Sequence, residues 1–218
     1  MKLKEFESIL QGVEPFSEPK FQLEQYPTSA HIASRILFTA DYSYDDIEDK
    51  TVLDLGCGTA MLAIGASVLG SSYTLGVDID QDALEVAHRN IEEFEVDVDL
   101  ILADVISEKS IFVENRKFDT VIMNPPFGTR KKGADTQFVQ KGLALSNNAV
   151  YSLHKSSTRN HFQKKAEEWG VSFEVVAQLR FDIPKMYKFH KKETADVQVD
   201  LLRFAWPQQS VCSKGDSS

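Results

Sequence analysis

The run Thr51-Val52-Leu53-Asp54-Leu55, cut by Gly56-Cys57-Gly58 and continued by the apolar stretch from Met61 to Leu69, restricts the fold more than any other feature of this chain. It reads as strand, glycine turn and helix, the opening unit of an α/β sheet. Gly56 and Gly58 let the backbone turn tightly and approach a ligand, and the helix start behind them favours polar or anionic groups. The third glycine of a dinucleotide fingerprint is missing, since Gly65 lies deep inside the helix, so a pyrophosphate is not the expected ligand. A second strand from Tyr73 places Asp78 about twenty residues past the glycines, where a carboxylate accepts hydrogen bonds from a ribose. A third, Val98 to Ala103, ends at Asp104, which can take the amino group of an adenine. Together these parts predict recognition of a nucleoside.

The apolar run Thr120-Val121-Ile122-Met123 predicts a further strand, and its carboxyl end carries Asn124-Pro125-Pro126-Phe127. Ligands of open α/β sheets bind at that end of the strands. Two prolines remove two backbone donors and fix φ near about −65°, so the turn is stiff and its carbonyls can point at a substrate. The Asn124 side-chain oxygen and the Pro125 carbonyl offer two acceptors to one planar NH2 group, and Phe127 offers a flat apolar face. Such a turn grips an exocyclic amine. An isolated Asn-Pro pair is more often a plain turn, and it is the nucleoside site upstream that argues for the chemical reading.

The order Val-Leu-Asp-Leu-Gly-Cys-Gly, Gly-Val-Asp-Ile-Asp, Ala-Asp-Val and Asn-Pro-Pro-Phe resembles the S-adenosylmethionine-dependent Rossmann-fold amino-methyltransferases. The runs Phe21 to Thr28, Asn124 to Thr129 and Val150 to Arg159 are similar to those enzymes of the group that form N6-methyladenosine in eukaryotic small-subunit ribosomal RNA. The likeness extends from Leu3 to Phe204. It implies a seven-stranded, mostly parallel sheet with helices on both faces and an antiparallel final strand. For the cofactor, S-adenosylmethionine, it implies contacts from Gln25, Tyr26, Thr28, Asp54, Gly56, Cys57, Gly58, Leu62, Asp78, Ile79, Asp104, Val105 and Asn124. For catalysis it implies Asn124, Pro125, Pro126 and Phe127.

Composition fits one compact α/β unit, because 218 residues with 42% hydrophobic side chains can bury a substantial core. Residues 1–46 are expected to form a helical cap closing the cofactor pocket, with helical spacing over Lys2 to Leu10 and Ser29 to Phe38 and an N-cap at Thr28 or Ser29. Residues 47–206 form the core, with two further strands over Phe173 to Phe181 and Val197 to Phe204. The polar stretch 207–218 reads as a disordered tail. Cys57 and Cys212, in a cofactor turn and a tail, make no convincing disulfide, so a reducing, intracellular setting is expected, nucleus or cytoplasm. No signal segment or bilayer-length apolar run is apparent. The five histidines show no paired ligand spacing with cysteine, and no metal site is expected.

The net charge of −9 argues against an all-over nucleic-acid-binding surface. Its distribution points the other way: acids crowd Asp41 to Asp49 and Glu92 to Asp99, whereas Arg130, Lys131 and Lys132 follow the Asn-Pro-Pro-Phe turn directly. Lys155 and Arg159 come next, and Lys188, Lys191 and Lys192 are interleaved with Tyr187 and Phe189. This rim is the expected RNA contact, with aromatic groups for stacking and cations for phosphate. Any single loop lysine is as readily just solvated.

The resemblance also implies a partner, a small zinc-binding activator subunit adding a strand to the sheet edge at Val98, Leu100, Ile101 and Leu102. Against that, Leu100 and Leu102 facing one helix layer and Ile101 the other would need no partner. Other planar amines stay open as substrates, a protein glutamine methylated at N5 or a guanine at N2. So does a non-catalytic ribosome-assembly role.

Overall fold

The structure, a computed structural model, describes residues 1–107, 117–184 and 194–207, with the side chains of 181–184 and 194–196 left aside. In chain order the elements are α1 (Leu3–Leu10), α2 (Ala30–Tyr44), β1 (Thr51–Leu55), α3 (Met61–Val68), β2 (Tyr73–Asp78), α4 (Gln81–Phe94) and β3 (Asp99–Leu102). Then come β4 (Phe118–Met123), α5 (Ala134–Leu145), β5 (Ser146–Lys155), α6 (Arg159–Trp169), β6 (Ser172–Pro184) and β7 (Thr194–Ala205). Seven strands form one sheet in the order β3-β2-β1-β4-β5-β7-β6. The β3/β2, β2/β1, β1/β4 and β4/β5 pairs are parallel, and β7 runs antiparallel to both β5 and β6. This is the fold the sequence implied.

The near-continuous apolar strands follow from burial on both faces. Along β1, Val52 joins one core with Phe6 and Leu10 of α1, Ile36 and Leu37 of α2, Ile64 of α3 and Ile91 of α4. Leu53 and Leu55 enter the other, with Val139 and Leu143 of α5 and Phe162 of α6. Helix α2 runs to Tyr44, past the expected Phe38, because Ala40 still packs in the first core and carries the chain another turn. Ser29 is its N-cap, accepting from Ile32 N at 3.3 Å. Beyond it, buried Asp46 accepts from Tyr151 Oη at 2.6 Å and Arg203 Nη2 at 2.9 Å, tying the end of α2 to β5 and β7. Its charge is thereby paired inside the fold, as a buried carboxylate requires.

Strand order fixes where a ligand can sit. The connection after β1 leads outward to β2 and β3, while β4 returns to the opposite side of β1. The carboxyl ends of β1 and β4 therefore flank a crevice at the point where the winding reverses. Gly56 and Asn124 open the segments leaving those two ends.

Candidate functional site

The turn after β1 is shaped for close approach. Gly56 N and Cys57 N both donate to Val77 O, at 2.8 and 3.1 Å, which folds the turn back against β2. Gly56 and Gly58 have φ of +75° and +55°, and a Cβ on Gly58 would lie 2.7 Å from the Phe16 ring, so only glycine fits under that ring. Ala60, also at positive φ (68°), begins α3 at some backbone strain.

Three acids surround this turn. Asp78 accepts from Gly58 N at 2.8 Å and from Asp80 N at 2.9 Å, and burial raises its pKa. Asp80 caps α4 through Asp82 N and also accepts from Gln25 Nε2 at 2.7 Å and from Lys20. Burial acts to raise the Asp80 pKa, but the bonds from Lys20 and Gln25 outweigh it and hold the carboxyl below its ordinary value. Asp54 is different. Its Oδ2 accepts from Ala63 N at 3.0 Å, while Oδ1 is buried without a hydrogen-bond partner. Burial, with the Asp78 charge nearby, pushes its pKa to about 8 against the Ala63 N–H. An orphaned buried carboxylate oxygen is a costly feature, and on a residue that lines a cavity it suits a cationic donor from a ligand.

Across the crevice, Asn124 leaves the end of β4 and donates from Nδ2 to Thr28 Oγ1 at 2.9 Å. Lys155, at the end of β5, holds Nζ 5.7 Å from the centre of the Phe127 ring. The segment from Phe16 to Thr28 straps over the opening. Glu24 Oε1 accepts from Arg130 N at 2.8 Å, and the Arg130 guanidinium stacks 3.5 Å over Phe21. On the other flank, Lys20 and Gln25 hold the strap to Asp80.

Between strap, glycine turn and Asn-Pro-Pro-Phe turn lies a cavity of about 310 Å³, within the size range of small-ligand sites. Every residue assigned from the sequence to the cofactor or to catalysis lines it, from Gln25 through Asp54, Asp78 and Asp104 to Phe127. Arg130 and Lys131 reach it as well. Lys132 is exposed on the same loop. Arg159 stands apart, its Nε and Nη2 bound to buried Asp200 at 2.7 and 2.9 Å. Lys188, Lys191 and Lys192 lie outside the described residues. Sequence reasoning missed Phe16, Met61 and Phe138 among the lining groups. Of these only Phe16 had a signal, the glycine it covers.

Comparison with known proteins agrees with this geometry. The methyltransferase small domain profile matches residues 30–156. The rRNA N(6)-adenosine-methyltransferase METTL5 of Danio rerio is 55% identical over 206 residues, covering 94% of this chain and 99% of that one. The corresponding Drosophila melanogaster enzyme is 48% identical over 94% of this chain and 96% of its own. A crystal structure of a Pyrococcus horikoshii protein superposes with a TM-score of 0.81 at 36% identity, over 96% of this chain and 98% of that one. By the profile match and by near-full-length identity to these enzymes, the chain belongs to the methyltransferase small domain family, in the group of the METTL5 rRNA N(6)-adenosine-methyltransferases.

Proposed function

We propose that this chain transfers a methyl group from S-adenosylmethionine to the N6 amine of an adenosine in small-subunit ribosomal RNA. The observation that carries the reading is the single cavity that joins the orphaned Asp54 carboxylate to the Asn124 amide. Near-full-length likeness to rRNA adenosine methyltransferases supports adenosine over a glutamine amide or guanine, and a catalytic role over a purely architectural one.

The donor set fits S-adenosylmethionine. Asp54 Oδ1 would take its α-ammonium group, Asp78 its ribose hydroxyls and Asp104 its adenine amine, with Leu62, Ile79 and Val105 as apolar walls and Gly56, Cys57 and Gly58 as the backbone cradle. Gln25 and Tyr26 belong to the strap that covers it, within a cap of residues 1–46. When bound, this cofactor supplies an electrophilic methyl on a sulfonium. The chain's own part is positioning. Asn124 Oδ1 and the Pro125 carbonyl would accept the two amine hydrogens, drawing the nitrogen lone pair out of conjugation with the ring and into line with the methyl; the N–C bond would form as the S–C bond breaks to leave a neutral thioether, and one of the two amine protons would then pass to water. Pro126 keeps the turn rigid, and Phe127 stacks on the base, a contact worth about 1–3 kcal/mol.

RNA would approach over the basic rim of Arg130, Lys131, Lys132 and Lys155, and Lys188, Lys191 and Lys192 are proposed as further contacts from the sequence alone. Arg159 is committed to Asp200 and so braces the turn after β5 before it contacts any phosphate. Transfer of labelled methyl to ribosomal RNA, and none to total protein, tests the reading; label found only in protein overturns it. In the same assay, Lys131→Glu with Lys132→Glu should raise the RNA concentration for half-maximal rate and flatten its salt dependence, leaving cofactor affinity unchanged. An unmoved salt slope would return both lysines to ordinary solvated loop residues. An RNA substrate also implies an intracellular protein, in nucleus or cytoplasm, and among the described residues no helix is long and apolar enough to cross a membrane.

The activator subunit belongs to this proposal too. Strand β3 is an edge strand whose Leu102 is 54% exposed, while Leu100 and Ile101 pack on opposite cores and Val98 on the first of them. An open edge with a bare leucine invites an added strand. Mixing with such a zinc-binding subunit should give a one-to-one complex of higher melting temperature, and an unchanged melting temperature would argue that β3 stands alone.

A further inference from the structure

We infer that Thr28 is a positioning residue for methyl transfer, its hydroxyl anchoring the Asn124 amide so that Oδ1 faces the incoming amine. This deepens the reading above and rests on it.

The bond from Asn124 Nδ2 to Thr28 Oγ1, 2.9 Å long, joins residues 96 apart in sequence. No other side-chain hydrogen bond of Asn124 is made, and none reaches Oδ1, among the described residues. An asparagine amide is nearly symmetric in shape, so its partners alone decide which end faces a ligand. The substrate amine brings only hydrogens. It is satisfied by Oδ1 and repelled by Nδ2, so a turned amide would set donor against donor. A hydroxyl can pair with either end of the amide, and Thr28 therefore holds its plane in place. The amine then finds a satisfied arrangement only with Nδ2 turned to Thr28 and Oδ1 left for the amine, and the structure has Nδ2 on Thr28.

Thr28 is well placed to hold that plane still. It is 9% exposed and immediately precedes Ser29, whose hydroxyl caps α2. Helix α2 is pinned by Ile32, Ala33, Ile36, Leu37 and Ala40, all buried in the first core. The cap therefore reaches the reacting amine through one hydroxyl, in addition to covering the cavity.

The test removes the hydroxyl while keeping the shape. In the full chain, Thr28→Val should lower kcat about tenfold, the scale of one hydrogen bond felt in the transition state. KM for ribosomal RNA and melting temperature should stay within about twofold or a few degrees of wild type, and because Thr28 also lines the cofactor cavity, kcat is read at saturating cofactor so that any change in cofactor affinity is separated from it. Thr28→Ser should restore most of the rate. Thr28→Ala serves as the second variant if valine disturbs the fold, with the same expected split. Wild-type kcat in the valine or alanine variant overturns the assignment, as does a loss confined to cofactor affinity with kcat intact at saturation. A wild-type chain that transfers nothing to ribosomal RNA sinks the underlying function instead, and is told apart because no variant is needed to see it.

Discussion

Asn124→Ala should reduce methylation at least about a hundredfold while leaving cofactor affinity within about threefold of wild type. The split follows from where the side chain sits. Asn124 is anchored to Thr28 by its nitrogen, and the proposal gives its oxygen to the substrate amine. That amine is a weak nucleophile, so a bond that strengthens as the nitrogen becomes pyramidal is realised in the transition state and not in the resting complex. Asp54 and Asp78, which the proposal gives to the cofactor, leave from β1 and β2 and make no hydrogen bond to Asn124. Calorimetry and a transfer assay on one preparation check both halves. Retention of more than about a tenth of wild-type turnover, a loss under roughly 1.4 kcal/mol, would remove Asn124 from the chemistry.

What was legible in the chain was whatever local pattern encodes. The glycine turn, the acids at the ends of β2 and β3 and the Asn-Pro-Pro-Phe turn each belong to a strand whose apolar run marks it. Because ligands of such sheets gather at strand ends, reading the strands amounted to reading the site. The path of the strap was opaque to local pattern for the opposite reason, and only the family resemblance pointed to Gln25, Tyr26 and Thr28. Phe21 to Leu23 is a lone 3-10 turn without periodicity, and its place is set by Gln25 reaching Asp80 across 55 residues and Glu24 reaching Arg130 across 106. No spacing in the sequence encodes those pairings. Charge partners were hidden in a similar way. Arg130 and Arg159 read as parts of one basic rim, and no local pattern told that one guanidinium stacks on Phe21 and the other is clasped by Asp200. His154, a polar residue in strand β5, is bound to Ser152 at 2.7 Å and buried beside Phe162, and that burial lowers its pKa to about 3. A strand's outward and inward faces cannot be told apart by polarity where a polar residue has a buried partner.

The buried carboxylate of Asp54 gives the second large effect, and it is visible in pH. Without ligand its pKa lies near 8, chiefly because burial disfavours the charge. A cationic ammonium at Oδ1 favours the ionised form and pulls that pKa down. Between the lowered value and about 8, binding must therefore expel a proton. Cofactor affinity should rise with pH across roughly 6 to 7.5, by up to about tenfold per unit, before the ligand's own amine begins to titrate near 7.7–8.0. The unliganded fold shows the opposite sign: a carboxyl whose folded pKa is raised from 3.8 to about 8 contributes stability that is lost as pH climbs through that window. Asp54→Asn should abolish both dependences, because an amide does not titrate there, and should weaken cofactor binding by about tenfold to a hundredfold, the range for losing a charge-assisted hydrogen bond. It should not unfold the protein, since the amide oxygen can still accept from Ala63 N. Calorimetry in buffers of different ionisation enthalpy counts the protons directly. Binding without proton release at pH 7, or an asparagine variant that binds the cofactor as tightly as wild type, would place the ammonium away from Asp54 and leave its orphaned oxygen without a ligand.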